Sequence, residues 1–300
     1  MTGTGRSLGC PFPNARLSCD SATSRINLWE GKTPSHSFLL KDEYMDEQLV
    51  IEHLSKVYAR GEVLALNDVS FTVKKGEFLV VIGLSGSGKS TLLRCINRLI
   101  EPTAGKVFFE GVDVTAASSR ELLRIRRKMG MIFQQFNLVK RSSVLTNVLA
   151  GRLGYVNPWL SVIHKFPRED IELAFKNLDR VAIRDQAYKR ADELSGGQQQ
   201  RVGIARALMQ EPDLLMADEP VSALDPATSH SVMKYLEQMN QEDGVTVITS
   251  LHFLSLARRY GTRILALKDG EIVFEGLPSE IDEARFKEIY GDEAEHVEVS

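Results

Sequence analysis

From Gln48 the chain alternates apolar and polar positions, through Leu49–Leu54 and again through Val63–Val73, where Val69, Phe71 and Val73 recur in period two. Successive strand side chains point to opposite faces, so both stretches predict strands with one buried face. Phe78–Ile82 is a continuous apolar run, which predicts a strand covered on both sides. A helix is expected over Ser90–Leu99, stopped by Pro102, and short strands over Lys106–Glu110 and Gly130–Phe133. From about Phe136 to Arg190 the period changes. Thr146–Leu153 and Arg168–Val181 carry helical spacing, the second with Ile171, Phe175, Leu178 and Val181 on one face, so this stretch reads as an all-helical insert. Helix and strand then alternate again: Gln198–Met209, Leu214–Ala217, Ala227–Asn240, Val245–Thr249 and Ile264–Lys268. Asp269-Gly270, set between alternating Leu265/Leu267 and Ile272/Phe274, predicts a hairpin turn. The pattern is that of an α/β protein with a buried, mostly parallel sheet.

Composition narrows the class. Residues 1–44 are rich in Gly, Ser, Thr and Pro without sustained periodicity and read as a poorly ordered extension. Met45 immediately precedes the first strand pattern and is a candidate for the true start. The expected division is the extension 1–44, a domain over 45–276 with its helical insert at about 136–195, and a helical, acidic tail over 277–300 that includes Asp292, Glu293, Glu295 and Glu298. No internal repeat occurs. Lys plus Arg number 37 against 40 Asp plus Glu, so no overall field argues for nucleic acid. The local cluster Arg124, Arg126, Arg127 and Lys128 reads as the solvated face of a helix. Three cysteines without paired spacing fit a reducing compartment, and Cys95, among Leu92, Leu93 and Ile96, reads as core. No apolar run reaches a membrane span and no secretory signal is evident, so a cytosolic protein is expected, serving a membrane only from its surface.

Two Gly-rich turns carry the chemistry. Gly83-Leu84-Ser85-Gly86-Ser87-Gly88-Lys89-Ser90, followed by Thr91, matches G-x-x-x-x-G-K-[ST] and lies between a buried strand and a helix. Its glycines let backbone N–H groups turn around phosphate oxygens, and the helix N-terminus adds partial positive charge. Lys89 supplies a cation for the outer phosphates and Ser90 a hydroxyl for Mg²⁺. Downstream, Leu214–Ala217 leads into Asp218 and Glu219. Asp218 is the candidate to hold Mg²⁺ opposite Ser90, and Glu219 to orient or deprotonate an attacking water. The second turn is Ser195-Gly196-Gly197-Gln198, within LSGGQQQR, with Ser195 a natural helix N-cap. One nucleotide needs only one phosphate loop. Ser195–Gly197 is then either a plain capped helix or a second anion-binding terminus.

Taken together, these motifs resemble the ATP-binding-cassette (ABC) ATPases. The resemblance implies a P-loop NTPase (RecA-like) core with an antiparallel β subdomain and an inserted α-helical subdomain. It implies that Gln134 touches Mg²⁺ and hinges the insert, and that His252 contacts the γ-phosphate as a second catalytic residue. Ser222–Asp225 would match the turn that crosses to the partner, and Tyr58 the aromatic that stacks on adenine; Tyr58 as a plain surface residue beside a turn stays open. Two copies would pack head to tail, each ATP held between one copy's Gly83–Ser90 loop and the other's Ser195–Gln198 turn, with ATP and Mg²⁺ as cofactors. Within the family the chain is most similar to phosphonate-type import ATPases, through NVLAGRLGY (Asn147–Tyr155), FPRED (Phe166–Asp170), AYKRADELSGGQQQRVGIARAL (Ala187–Leu208) and LARRYGTRILALKDG (Leu256–Gly270). Phe253-Leu254 departs from the polar residue expected after His252. The implied role is energising uptake of phosphonate, phosphite or a related reduced-phosphorus anion. The implied location is the cytoplasmic face of the inner membrane, with permease subunits and, indirectly, a solute-binding protein, and no nucleic acid. The alternatives are an importer ATPase for phosphate or polar amino acids, or a lone cassette for cell division or lipoprotein release.

Overall fold

The computed structural model describes residues 47–58, 63–156, 166–222 and 224–291. The 1–44 extension, the start at Met45 and the acidic residues from Asp292 onward lie outside the described residues.

Two sheets are stacked. The first is four-stranded and antiparallel, in the order β2-β1-β4-β5, built from β1 (Glu47–Tyr58), β2 (Val63–Lys74), β4 (Ala104–Phe109) and β5 (Val112–Asp113). The second has six strands, in the order β10-β9-β3-β8-β7-β6: β3 (Phe78–Ile82), β6 (Met129–Ile132), β7 (Leu214–Ala217), β8 (Thr246–Ser250), β9 (Arg263–Lys268) and β10 (Glu271–Gly276). All its neighbours run parallel except β10, which folds back on β9 through Asp269-Gly270. Both turn residues have positive φ, 49° and 83°, as the hairpin reading requires.

The continuous apolar runs separate two cores. Phe78, Val80 and Ile82 of β3 face one hydrophobic cluster while Leu79 and Val81 face the other. In β7, Leu215 and Ala217 oppose Leu214 and Met216 in the same way. One core lies between the two sheets and takes in α1 (Lys89–Ile96) and α2 (Ser119–Lys128). The other is covered by α3 (Val144–Leu149), α4 (Arg168–Arg180), α5 (Gly196–Leu208), α6 (Pro226–Asp243), α7 (Leu254–Tyr260) and α8 (Glu283–Tyr290). A fully buried aliphatic side chain contributes about 1.5–3 kcal/mol, so the period-two sorting of β3 and β7 strongly fixes their register.

Helices α3, α4 and α5 pack on one another and form the helical region between β6 and β7. On α4, Ala174 and Leu178 are buried, Val181 beyond it also, and Ile171 and Phe175 lie at the edge of the cluster. Arg152 ties the segment down through Asp170 at 2.8 Å and Glu211 at 2.9 Å. Helix α8 returns onto the core, burying Phe286, Ile289 and Tyr290.

Two expectations are corrected. The helix after the Gly-rich loop ends at Ile96, before Leu99, because Arg98 turns into the left-handed region (φ 54°) and Asn97 Oδ1 accepts the Leu99 N–H at 3.0 Å. The strand read as Val245–Thr249 is Thr246–Ser250, which brings Ser250 into the sheet. The basic cluster is the exposed face of α2 that was expected, with Arg124, Arg127 and Lys128 exposed. Arg126 alone is half-buried and donates to the carbonyls of Asn97 and Arg98, while Arg127 lies over the Tyr155 ring and Lys128 pairs with Glu110 and Asp213. Cys95 is fully buried, and burial pushes its thiol up to about 11.

Candidate functional site

Four parallel strands deliver the candidate groups to one edge of the larger sheet. The Gly-rich loop follows β3, Gln134 follows β6, Asp218 and Glu219 follow β7, and His252 follows β8. Open α/β sheets place ligand sites at these carboxyl ends because the loops diverge there.

The loop depends on its glycines. Gly83 has φ 144°, and a Cβ there would lie 2.2 Å from the Leu267 carbonyl oxygen and 2.7 Å from Ser87 Oγ. Gly88, at φ 105°, caps α1 in a left-handed conformation. Ser87 Oγ is buried with no partner among the described residues, an orphan donor suited to an anion in the loop. Lys89 is buried, its ammonium donating to the carbonyls of Gly83 and Leu84, each at 2.8 Å. Burial pushes its pKa down, and the charges of Glu219 and Asp218 act the other way.

Asp218 is fully buried. Its Oδ1 accepts from Ser90 Oγ at 2.6 Å and more weakly from Ser250 Oγ at 3.4 Å, and its Oδ2 accepts from Arg94 at 3.0 Å. Glu219 stands in the left-handed region (φ 48°), a conformation that costs a non-glycine residue about 1–2 kcal/mol. Its N–H is held by Ser250 Oγ at 2.9 Å. The turn aims its carboxylate at three partners: His252 Nε2 at 2.5 Å, Gln134 Nε2 at 2.6 Å and the Lys89 ammonium at 4.0 Å. The carboxylate only accepts, so His252 donates from Nε2. That hydrogen bond is the main reason the Glu219 carboxyl lies below its usual range. The imidazole and Lys89 charges and the Gln134 bond add to it, and burial opposes.

Tyr58 ends β1 with its hydroxyl 3.2 Å from Thr91 Oγ1, so it stands beside α1. The second turn is built separately. Ser195 caps α5 reciprocally with Gln198, the Oγ accepting from the Gln198 N–H and Gln198 Oε1 from the Ser195 N–H. A Cβ on Gly197 would lie 2.8 Å from Thr228 Cγ2, and Asp225 caps α6 by accepting from the Thr228 N–H at 3.0 Å. The Ser195 and Asp225 turns are thus neighbours. The Asp225 turn is joined to the acids by Ser222, whose Oγ and N–H donate to the Glu219 carbonyl at 3.2 and 3.3 Å, whereas no hydrogen bond or ion pair among the described residues joins Ser195–Gln198 to Lys89, Asp218 or Glu219.

The ABC transporter family model matches residues 66–222, more than half the chain. The chain belongs to the ABC transporter family. Among its relatives are proteins named phosphonates import ATP-binding protein PhnC. That of Bdellovibrio bacteriovorus is 58% identical over 83% of this chain and 95% of its own length. That of Staphylococcus aureus is 53% identical over 81% and 95%. Among solved structures, the dimeric ATP-binding cassette MJ0796 in a post-hydrolysis state bound to ADP and Pi is 38% identical and superposes with a TM-score of 0.69, covering 77% of this chain and 98% of that one.

Within this family member the polar groups fit a magnesium ion by donor type. Ser90 offers a hydroxyl, Asp218 one carboxylate and Gln134 an amide oxygen, and the described residues contain no group of three or more His, Cys, Asp or Glu placed for a metal. A few hard oxygens, completed by waters and phosphate, suit Mg²⁺ better than a softer metal. Arg94 and Ser250, both on Asp218, were missed from the sequence. Arg94 lies one helical turn beyond Ser90, a spacing that could have flagged it. Ser250 had no signal of its own.

Proposed function

We propose that this chain is the ATP-hydrolysing subunit of an ABC importer that takes up phosphonate or a related reduced-phosphorus anion such as phosphite. The observation that carries the ATPase reading is the joint between the loop and the acids, with Ser90 on Asp218 and Lys89, Gln134 and His252 around Glu219. The names of relatives more than half identical over most of their length support the solute class.

In this reading residues 45–276 form the nucleotide-binding domain, with the helical insert at about 136–195, the extension 1–44 before it and the tail 277–300 behind. Tyr58 flanks the base. Gly83–Thr91 grip the phosphates, with the loop N–H groups and Lys89 on the outer ones. Ser90, Asp218 and Gln134 would hold Mg²⁺, which neutralises phosphate charge when bound. Glu219 stays ionised because His252 donates to it. The ionised carboxylate can orient the attacking water and take its proton, and His252 bridges it to the γ-phosphate. The partner's Ser195–Gln198 turn completes the site with helix-terminal N–H groups, and Asp225 crosses beside it. Two copies therefore act head to tail. Transmembrane permease subunits dock on them at the cytoplasmic face of the membrane, and a solute-binding protein delivers the anion. Among the described residues no helix is long and apolar enough to cross a membrane, so the span is assigned to the permease.

The test is growth on a phosphonate or phosphite as sole phosphorus source, wild type against Glu219→Gln. The variant should bind ATP and lose about 10²-fold or more in turnover, and growth with it. Equal growth would refute the solute assignment, and near-normal ATPase would remove Glu219 from its role.

A further inference from the structure

The segment leaving Gln134 is fastened to the helix that opens at Ser195. Arg206 of α5 donates Nη1 to the Asn137 carbonyl at 2.7 Å and Nη2 to the Phe136 carbonyl at 2.9 Å. The Phe136 ring meets the other end of the same helix, its Cζ lying 3.9 Å from where a Gly196 Cβ would be. Residues 196 and 206 are about 15 Å apart along a helix axis, so the Arg206 side chain and Phe136 together span most of α5. Asn137 itself takes φ 50°, a sharp turn that directs the two successive carbonyls onto one guanidinium. Burial lowers the Arg206 pKa, and among the described residues no carboxylate pairs with it. Its charge is engaged on backbone carbonyls, which makes the link strong and directional.

We propose that Arg206 and Phe136 form a clamp joining the two ATP sites of the pair through each chain. This rests on the head-to-tail reading. Each copy then gives its Gly83–Ser90 loop, Glu219 and Gln134 to one site and its Ser195–Gln198 turn to the other. Gln134 bonds Glu219 directly, and Phe136 follows it closely in the chain. A shift of Gln134 moves Phe136, and Phe136 is pinned near both ends of a rigid helix. The helix carries its capped N-terminus along, so events at one nucleotide bias the geometry offered to the other. Arg206 and Phe136 are positioning residues and touch neither nucleotide. Loss of the clamp leaves the local Ser195–Gln198 cap and the Lys89 loop as they are. The affected quantity is the coupling between sites.

The experiment compares Arg206→Met, Phe136→Ala and the rescue Arg206→Lys in the full chain, with melting temperature measured for each. ATP-driven dimerisation is read by sedimentation equilibrium in a Glu219→Gln background, monomer affinity with a fluorescent ATP analogue, and the Hill coefficient of ATP hydrolysis in the Glu219 background. The clamp predicts that dimerisation weakens about tenfold or more and the Hill coefficient falls toward one. Monomer affinity should stay within about twofold, with Arg206→Lys recovering part of the loss. Unchanged dimerisation and Hill coefficient in a folded Arg206→Met protein would overturn it. So would an equal loss of monomer affinity, which would put the residue in the nucleotide site itself. Should Arg206→Met fail to fold, Phe136→Ala decides, since that ring is only partly buried. Absence of any ATP-dependent dimer in Glu219→Gln alone overturns the head-to-tail reading, and the clamp with it.

Discussion

Replacing Arg94 by methionine removes the only cation bonded to Asp218 among the described residues while keeping most of the apolar stem. Asp218 is fully buried, and its Oδ2 would be left facing the lost guanidinium, with Ser90 and Ser250 still on Oδ1. Breaking a fully buried pair costs about 3–5 kcal/mol and an exposed one about 0–1 kcal/mol. Arg94 is 39% exposed against 0% for Asp218, so the solvent-screened value falls between, at about 2 kcal/mol. For a chain of this size that lowers the melting temperature by about 3–4 °C. The assay is thermal denaturation in EDTA, with Arg94→Lys alongside to retain part of the interaction. Repeating it with ATP and Mg²⁺ in a Glu219→Gln background should narrow the deficit, because the bound metal replaces the missing charge. A melting temperature within about 1 °C of wild type in EDTA would refute the reasoning that Arg94 is the resident counter-charge.

Gly83→Ala places a methyl 2.2 Å from the Leu267 carbonyl in a backbone conformation that alanine rarely adopts. It should destabilise the chain by about 2 kcal/mol or more and abolish ATP-analogue binding; retention of both would show that the loop relaxes freely. His252→Ala should change how stability depends on pH. The Glu219 carboxyl is depressed chiefly by its bond to His252, so the interaction is fully present above the ordinary carboxylate range of about 4.3 and lost as pH falls through the lower folded value. The melting difference between wild type and His252→Ala should therefore persist from neutral pH to that range and close below it. A difference that stays constant into strong acid would contradict the assignment.

The sheet core was the most legible part of the chain. Phe78–Ile82 and Leu214–Ala217 are continuous apolar runs because both faces are covered, and their loops carry chemistry specific enough to find without the fold. The ladder order was not legible, since β3 pairs with β8 and β9 far along the chain. Local reading failed where a side chain answers to a distant backbone. Arg98 and Arg126 turn inward to carbonyls of neighbouring segments, which ended one helix early and took Arg126 out of the otherwise exposed basic face. Arg206 was hidden for the same reason. Its partners are the carbonyls of Phe136 and Asn137, and a carbonyl carries no sequence signature.

The central claim is that each ATP is held by two copies, one giving Lys89 and the other Ser195. Two variants that are inactive alone test it when mixed. In a dimer of Lys89→Met with Ser195→Arg, one site collects both lesions and the other collects none. Random pairing of equal amounts makes half the dimers mixed, each with one intact site of two, so turnover should recover to at most about a quarter of the wild-type rate. A double variant carrying both changes, mixed with wild type, should gain nothing in its mixed dimers, because each of their sites has one lesion. Failure of the two single variants to restore activity to each other, with both folded and present as mixed dimers, would contradict the shared site.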